Sequence, residues 1–192
     1  GAQNLINMEY DGQAFPAGIG VFREPNGRID YIEDSRTNVA TRKVEGIDFT
    51  VGYNWDAGRW GSVQPKLVWA HTLNYDFQAS DFTDKEEVSG EYNFGPKNRA
   101  AFTLRWNIDD FTVGWLTNYV GKMDAVYDFD SYIEHTLTVA WEAPWNATIQ
   151  AGARNLFDEE PPIDPRVDDA SYQYYFYPID GRVMTLSYTQ RF

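Results

Sequence analysis

Apolar and polar residues alternate along most of this chain with a period of two, the signature of strands with one apolar and one wet face. Over residues 43–55, Ile47, Phe49, Val51, Tyr53 and Trp55 share one parity, and Asp48, Thr50, Gly52 and Asn54 the other. Residues 62–75 set Val63, Leu67, Trp69, Leu73 and Tyr75 against Gln64, Lys66, Ala70, Thr72 and Asn74. Pro65 lies inside that run and predicts an irregular start to the strand. The cleanest alternation is 99–108, with Ala100, Phe102, Leu104, Trp106 and Ile108 opposite Arg99, Thr103, Arg105 and Asn107. Further strands are expected at 111–121, 133–142, 147–156 and 181–192. In the last, Met184, Leu186, Tyr188 and Phe192 oppose Thr185, Ser187, Thr189 and Arg191. That makes seven strands, and 26–33 is expected to add part of an eighth.

The connections alternate in length. Short turns fall at 56–58, 109–110 and 143–146, and long loops at 76–96, 122–131 and 157–180. A meander with one short-turn end and one long-loop end is the layout of a transmembrane barrel whose apolar face meets lipid. Trp55, Trp60, Trp106, Phe111, Trp141, Trp145 and Phe192 crowd the short-turn end, as an interfacial girdle would. A β-sandwich would also collect aromatics. It would not turn Arg99, Arg105 and Arg154 toward a second layer.

With 192 residues the chain is long enough for one domain. Its mean hydropathy is negative, which leaves a barrel open because alternating strands average out. No apolar run is long enough for a transmembrane helix. Cysteine is absent, so there is no disulfide framework. No signal peptide stands at Gly1; an outer-membrane protein needs one, so either it was removed or the chain starts within a larger protein. A formal charge of −13 argues against nucleic acid as a partner. The acid is clustered in two loops, around Asp76–Glu91 and Asp158–Asp169. Solvated loops explain both runs, and a cation-binding loop is the sharper alternative.

Little in the chain points to catalysis. His71 and His135 both fall on the apolar parity and are not paired at ligand spacing, so no metal site is expected. No phosphate loop or nucleophile elbow is present, and neither a catalytic residue nor a cofactor is expected. The polar parity holds Asp48, Lys66, Arg99, Arg105, Glu134, Arg154 and Arg191, which in a barrel would face the lumen as a wall network. The loop residues Tyr172, Tyr174, Tyr175 and Tyr177 form an aromatic patch beside acid, the expected ligand contacts if the patch does not merely extend the flanking strands.

Three stretches carry a family resemblance. "NLFDEEPP" from Asn155, followed by a long loop and a last strand ending "YTQRF", resembles the C-terminus of TonB-dependent outer-membrane receptors. "REPNGRIDYIEDSRTNVATRKVEGIDFTVGYNW", with its Gly46-Ile47-Asp48 triplet, resembles that family's loop-to-strand pattern, and "PKNRAAFTLRW" its next strand. At the usual Tyr-x-Phe ending, Gln190 stands where an aromatic is commoner. The resemblance implies an all-β, antiparallel up-and-down barrel of about 22 strands filled by a plug domain, of which residues 1–192 would be a C-terminal part. It further implies a place in the outer membrane of a Gram-negative cell and active uptake of a siderophore, cobalamin or oligosaccharide. The implied partners are the lipid bilayer, the barrel-assembly machinery at the last strand, and the plug and TonB through an N-terminal part. Two rivals remain at this stage: a complete small barrel of eight strands with a structural or adhesive role, and a soluble all-β binding module.

Overall fold

A computed structural model describes residues 2–15, 18–34, 40–79, 83–124, 129–163 and 175–192. The chain divides into two compact units. The smaller holds a helix, α1 (Ala2–Tyr10), and a hairpin of β1 (Ile19–Arg23) and β2 (Ile29–Asp34). The hairpin pairs Phe22 with Tyr31, whose rings stack at 4.5 Å. The Arg23 guanidinium donates to both Glu9 carboxylate oxygens, at 3.0 Å from Nε to Oε1 and 2.8 Å from Nη2 to Oε2, and those bonds hold the Glu9 carboxyl below its usual range. The expected part-strand at 26–33 therefore exists as β2. It joins a separate two-stranded sheet rather than the main one.

The larger unit is a single antiparallel sheet. Its strands are β3 (Thr41–Gly52), β4 (Trp55–Asp56), β5 (Ser62–Gln78), β6 (Glu86–Glu87), β7 (Asn98–Ile108), β8 (Phe111–Val120), β9 (Tyr132–Ala143), β10 (Ala147–Arg154) and β11 (Val183–Gln190). They lie in the order β11-β10-β9-β8-β7-β5-β3, with the short β4 and β6 pairing only with β5. Every long strand pairs with its sequence neighbour, the meander that the alternation predicts. β7 and β8, of 11 and 10 residues, have the length that crosses a bilayer at a tilt.

Register sorts the residues into two faces. Leu186, Ala151, Val139, Val113, Trp106 and Val63 form one unbroken row across the sheet. The neighbouring row on the opposite face runs Thr185, Gly152, Thr138, Gly114, Arg105 and Gln64. Among the described residues of this unit, neither face is covered by a second layer. Phe49, Val51, Leu73, Val139, Leu186 and Tyr188 are all exposed. A contiguous apolar face of this size is unstable in water and needs an apolar environment.

Two local expectations need correcting. β5 keeps an unshifted register through Pro65, which pairs with Leu104. The Pro65 carbonyl accepts from Tyr53 N–H at 3.0 Å, so the missing proline N–H falls on the side where β3 has just ended and costs the ladder little. The turn expected at 56–58 is longer: a 3₁₀ turn, Gly58–Trp60, closes it. Gly61 ends that turn at φ 79, where a Cβ would stand 1.9 Å from the Asn107 carbonyl oxygen, so only glycine fits. The tight turns at Asp109 (φ 47) and Asn146 (φ 57) use residues that tolerate left-handed backbone.

Candidate functional site in the polar face and its capping loops

The aromatics expected at the short-turn end do gather there. Trp106 Nε1 donates to the Trp60 carbonyl at 2.7 Å, Phe111 stacks on Trp141, and Trp141 meets Trp145 edge-on. Farther along the same face, Trp69 stacks on His71 and Trp115 packs against His135. The two histidines bond to Asn98 and Thr117 at 2.8 and 2.9 Å. They are packing residues of an aromatic band, and no cluster able to hold a metal occurs among the described residues.

Among the described residues, the sheet has its buried core at the long-loop end. Val120, Met123, Phe129, Tyr132 and Tyr177 are buried together, with Tyr92 and Phe176 packed on them. Tyr92 stacks on Phe129 at 4.5 Å, and backbone bonds tie Tyr92 and Gly90 to Asp124. At Gly95, φ 101, an added Cβ would stand 3.1 Å from the Phe176 ring, so the loop after β10 closes onto the loop before β7 where only a glycine leaves room. Asn155 anchors that closure. It is 3% exposed, its backbone is left-handed at φ 48, and its amide both donates to and accepts from the Glu159 backbone, at 2.9 and 2.8 Å. Asp158 then accepts from Arg182 N–H at 2.8 Å, which sets where β11 begins. The "NLFDEE" stretch is thus a turn that delivers the last strand to its partner β10.

Beneath the cap the polar face forms a concavity of about 600 Å³ whose lining includes Arg99, Asn118, Glu134, Thr136, Arg154 and Phe176. Glu134 is 6% exposed and accepts from the Tyr132 hydroxyl at 3.4 Å. Arg154 is paired with Asp180 at 2.5 Å. Among the described residues Arg99 makes no ion pair. Lower on the same face, Lys66 and Arg105 share a second concavity, and Arg105 donates to Asn107 at 3.1 Å. Arg191 sits at the short-turn end with Asp110 and Glu142. Asp48 shares the parity of Gly52, which abuts Lys66.

Of the aromatic loop, Tyr175 is 73% exposed and Tyr177 only 3%; Tyr172 and Tyr174 lie outside the described residues. The sequence reading grouped these four alike. The structure instead turns Tyr177 inward, edge-on to Tyr132. Sequence reasoning missed Phe176, Asn118 and Thr136 as lining residues. Parity could have found Asn118 and Thr136, which face the same way as Glu134. Phe176 belongs to the aromatic run 172–177, but nothing in the local pattern separates it from the tyrosines as the lining residue.

A single-layered, two-faced antiparallel meander, short-turned at one end and loop-capped at the other, defines a wall segment of a membrane β-barrel. The family model described as "TonB dependent receptor-like, beta-barrel" matches residues 3–156, and the chain belongs to that family. This is a receptor and transporter family rather than an enzyme family, and membership implies an outer-membrane location. No curated protein and no solved structure matches the chain. The matched region stops at Leu156, short of the last strand, where the sequence resemblance began.

Proposed function

We propose that this chain supplies barrel wall and extracellular capture loops to a TonB-dependent receptor that actively imports a large nutrient. The supporting observation is the asymmetry of the sheet: its apolar face is bare, and its polar face is roofed only at the long-loop end. In this reading the apolar face meets the lipid bilayer. Asp48, Lys66, Arg99, Arg105, Glu134, Arg154 and Arg191 face the lumen and its plug domain, and TonB supplies energy through that plug. β11 is the strand handled by the barrel-assembly machinery. Ligand contact in the loop falls to Tyr172, Tyr174 and Tyr175, while Tyr177 holds the loop down. The ligand lies among siderophores, cobalamin and oligosaccharides.

The test is accumulation of these three nutrient classes by cells with and without the protein, each with and without a protonophore. Protein-dependent uptake that the protonophore abolishes is the expected outcome. Entry that persists without the proton gradient would make this a passive barrel and defeat the proposal.

A further inference from the structure

We infer that the concavity roofed by Phe176 holds an uncharged, hydroxyl-rich ligand, namely a segment of neutral oligosaccharide; the inference rests on the uptake reading above and narrows it. The first argument is charge balance. Arg154 is already neutralised by Asp180 at 2.5 Å. Arg99 and Glu134, both lining the same space, carry opposite unit charges. An anion drawn to Arg99 would face the Glu134 carboxylate, and a cation drawn to Glu134 would face Arg99.

The second argument is hydrogen-bond capacity. A guanidinium only donates, a carboxylate only accepts, and the amide of Asn118 and the hydroxyl of Thr136 do both. Glu134 is nearly buried, yet its hydrogen-bond partner among the described residues, the Tyr132 hydroxyl, is at 3.4 Å, close to the limit of a useful bond. Arg99 has no ion-pair partner among the described residues. Arg99 itself is exposed, whereas the nearly buried Glu134, left this short of partners, favours a ligand that completes it. A row of hydroxyls does so at once, donating to Glu134 while accepting from Arg99. The Phe176 ring offers the apolar surface on which the C–H face of a sugar packs. The volume, about 600 Å³, is that of an ordinary ligand pocket.

The third argument is the rim. Glu86, Glu87, Glu91, Asp158, Glu159 and Glu160 are exposed around the same end. These six carboxylates outnumber the exposed cations of that end, Lys85, Lys97, Lys122 and Arg182, and the excess negative charge, screened over about 8 Å, disfavours a multiply charged anionic chelate while leaving a neutral sugar unaffected.

The experiment uses the protein purified in detergent from the outer membrane. The probes are maltohexaose and xylohexaose as neutral ligands, with oligogalacturonate and ferric citrate as anionic ones, all read by titration calorimetry. A neutral hexasaccharide should bind, and Arg99→Ala and Glu134→Gln should each weaken it by about tenfold or more, near 1.4 kcal/mol. Arg99→Lys, which keeps the charge but not the planar fork, should fall between. Heat-modifiable gel mobility identifies variants that assemble; should either fail to, Asn118→Ala takes its place with the same expectation. Binding of only the anionic probes, binding of none, or wild-type affinity in assembled variants would each overturn the inference. Protonophore-sensitive uptake of ferric citrate without saccharide binding would sink this inference and leave the uptake reading standing. Saccharide binding with protonophore-insensitive entry would do the reverse.

Discussion

Tyr177 carries a buried hydroxyl with no hydrogen-bond partner among the described residues. Burial, with Tyr92 nearby, pushes its ionisation up to about 12, although Arg99 pulls the other way; an ordinary tyrosine titrates near 10. Two outcomes are expected. Tyr177→Phe removes an unpaired buried group and should be neutral or stabilising by up to about 1 kcal/mol, whereas Tyr177→Ala leaves a hole against Tyr132 and should cost about 3 kcal/mol. The pH sign is fixed too. The fold keeps Tyr177 protonated, and the unfolded chain ionises first. Wild type therefore loses stability as pH rises from about 10 to about 12, and Tyr177→Phe should lose less over that window. Urea unfolding at pH 9 and pH 11, followed by gel mobility, measures both effects. Asn155 is the opposite case, a polar side chain with both ends used. Asn155→Ala forfeits two bonds to Glu159 and a residue suited to φ 48, a loss of roughly 2–4 kcal/mol. It should also loosen β11, visible as faster proteolysis after Arg182. An unchanged cleavage rate would mean that the 155–159 turn does not hold the last strand.

Element by element, alternation located the strands to within a few residues because each has one apolar face and no second layer to blur it. β7, expected at 99–108, is Asn98–Ile108, and β9, expected at 133–142, is Tyr132–Ala143. Helix α1 was not legible: Leu5 is its one buried residue, so it has almost no apolar stripe to read. The candidate site was half legible. Parity put Arg99, Glu134 and Arg154 on one face, since that depends only on the period. It could not show that Phe176 roofs them or that Tyr177 turns inward, because both depend on loop contacts with Gly95 and Tyr132 made far along the chain. The two-faced reading has a direct check in adjacent residues of β7. Leu104→Arg places a charge on the lipid side and should cost roughly 2–4 kcal/mol. Thr103→Arg points the other way, beside Lys66, and should cost under about 1 kcal/mol in a watery lumen. Equal losses of heat-modifiable mobility in the two variants would refute the assignment of faces.

At the scale of the whole sheet, strand direction sets which end faces outward. β11 runs toward the short-turn end: Gln190 pairs with Ala147, next to the 143–146 turn. Each short turn lies at that same end, where Trp60, Trp106, Trp141 and Trp145 gather, and the packed loops lie at the other. Long, loop-capped ends face outward in barrels of this kind and short turns face the periplasm. An epitope inserted after Asp84 should therefore be labelled on intact cells, and one after Asp109 only in lysed cells; the reverse pattern would invert the sheet in the membrane. The sheet is also open. Its order ends in β3 on one side and β11 on the other, and each carries a row of backbone groups that bilayer lipid cannot satisfy. These edges require further strands, from the same polypeptide or another, before the wall can stand in a membrane. Refolded alone in detergent, the 192-residue chain should give edge-paired oligomers or aggregate under light scattering. A stable heat-modifiable monomer would show that the two edges can close on each other, and would return the small-barrel reading to first place.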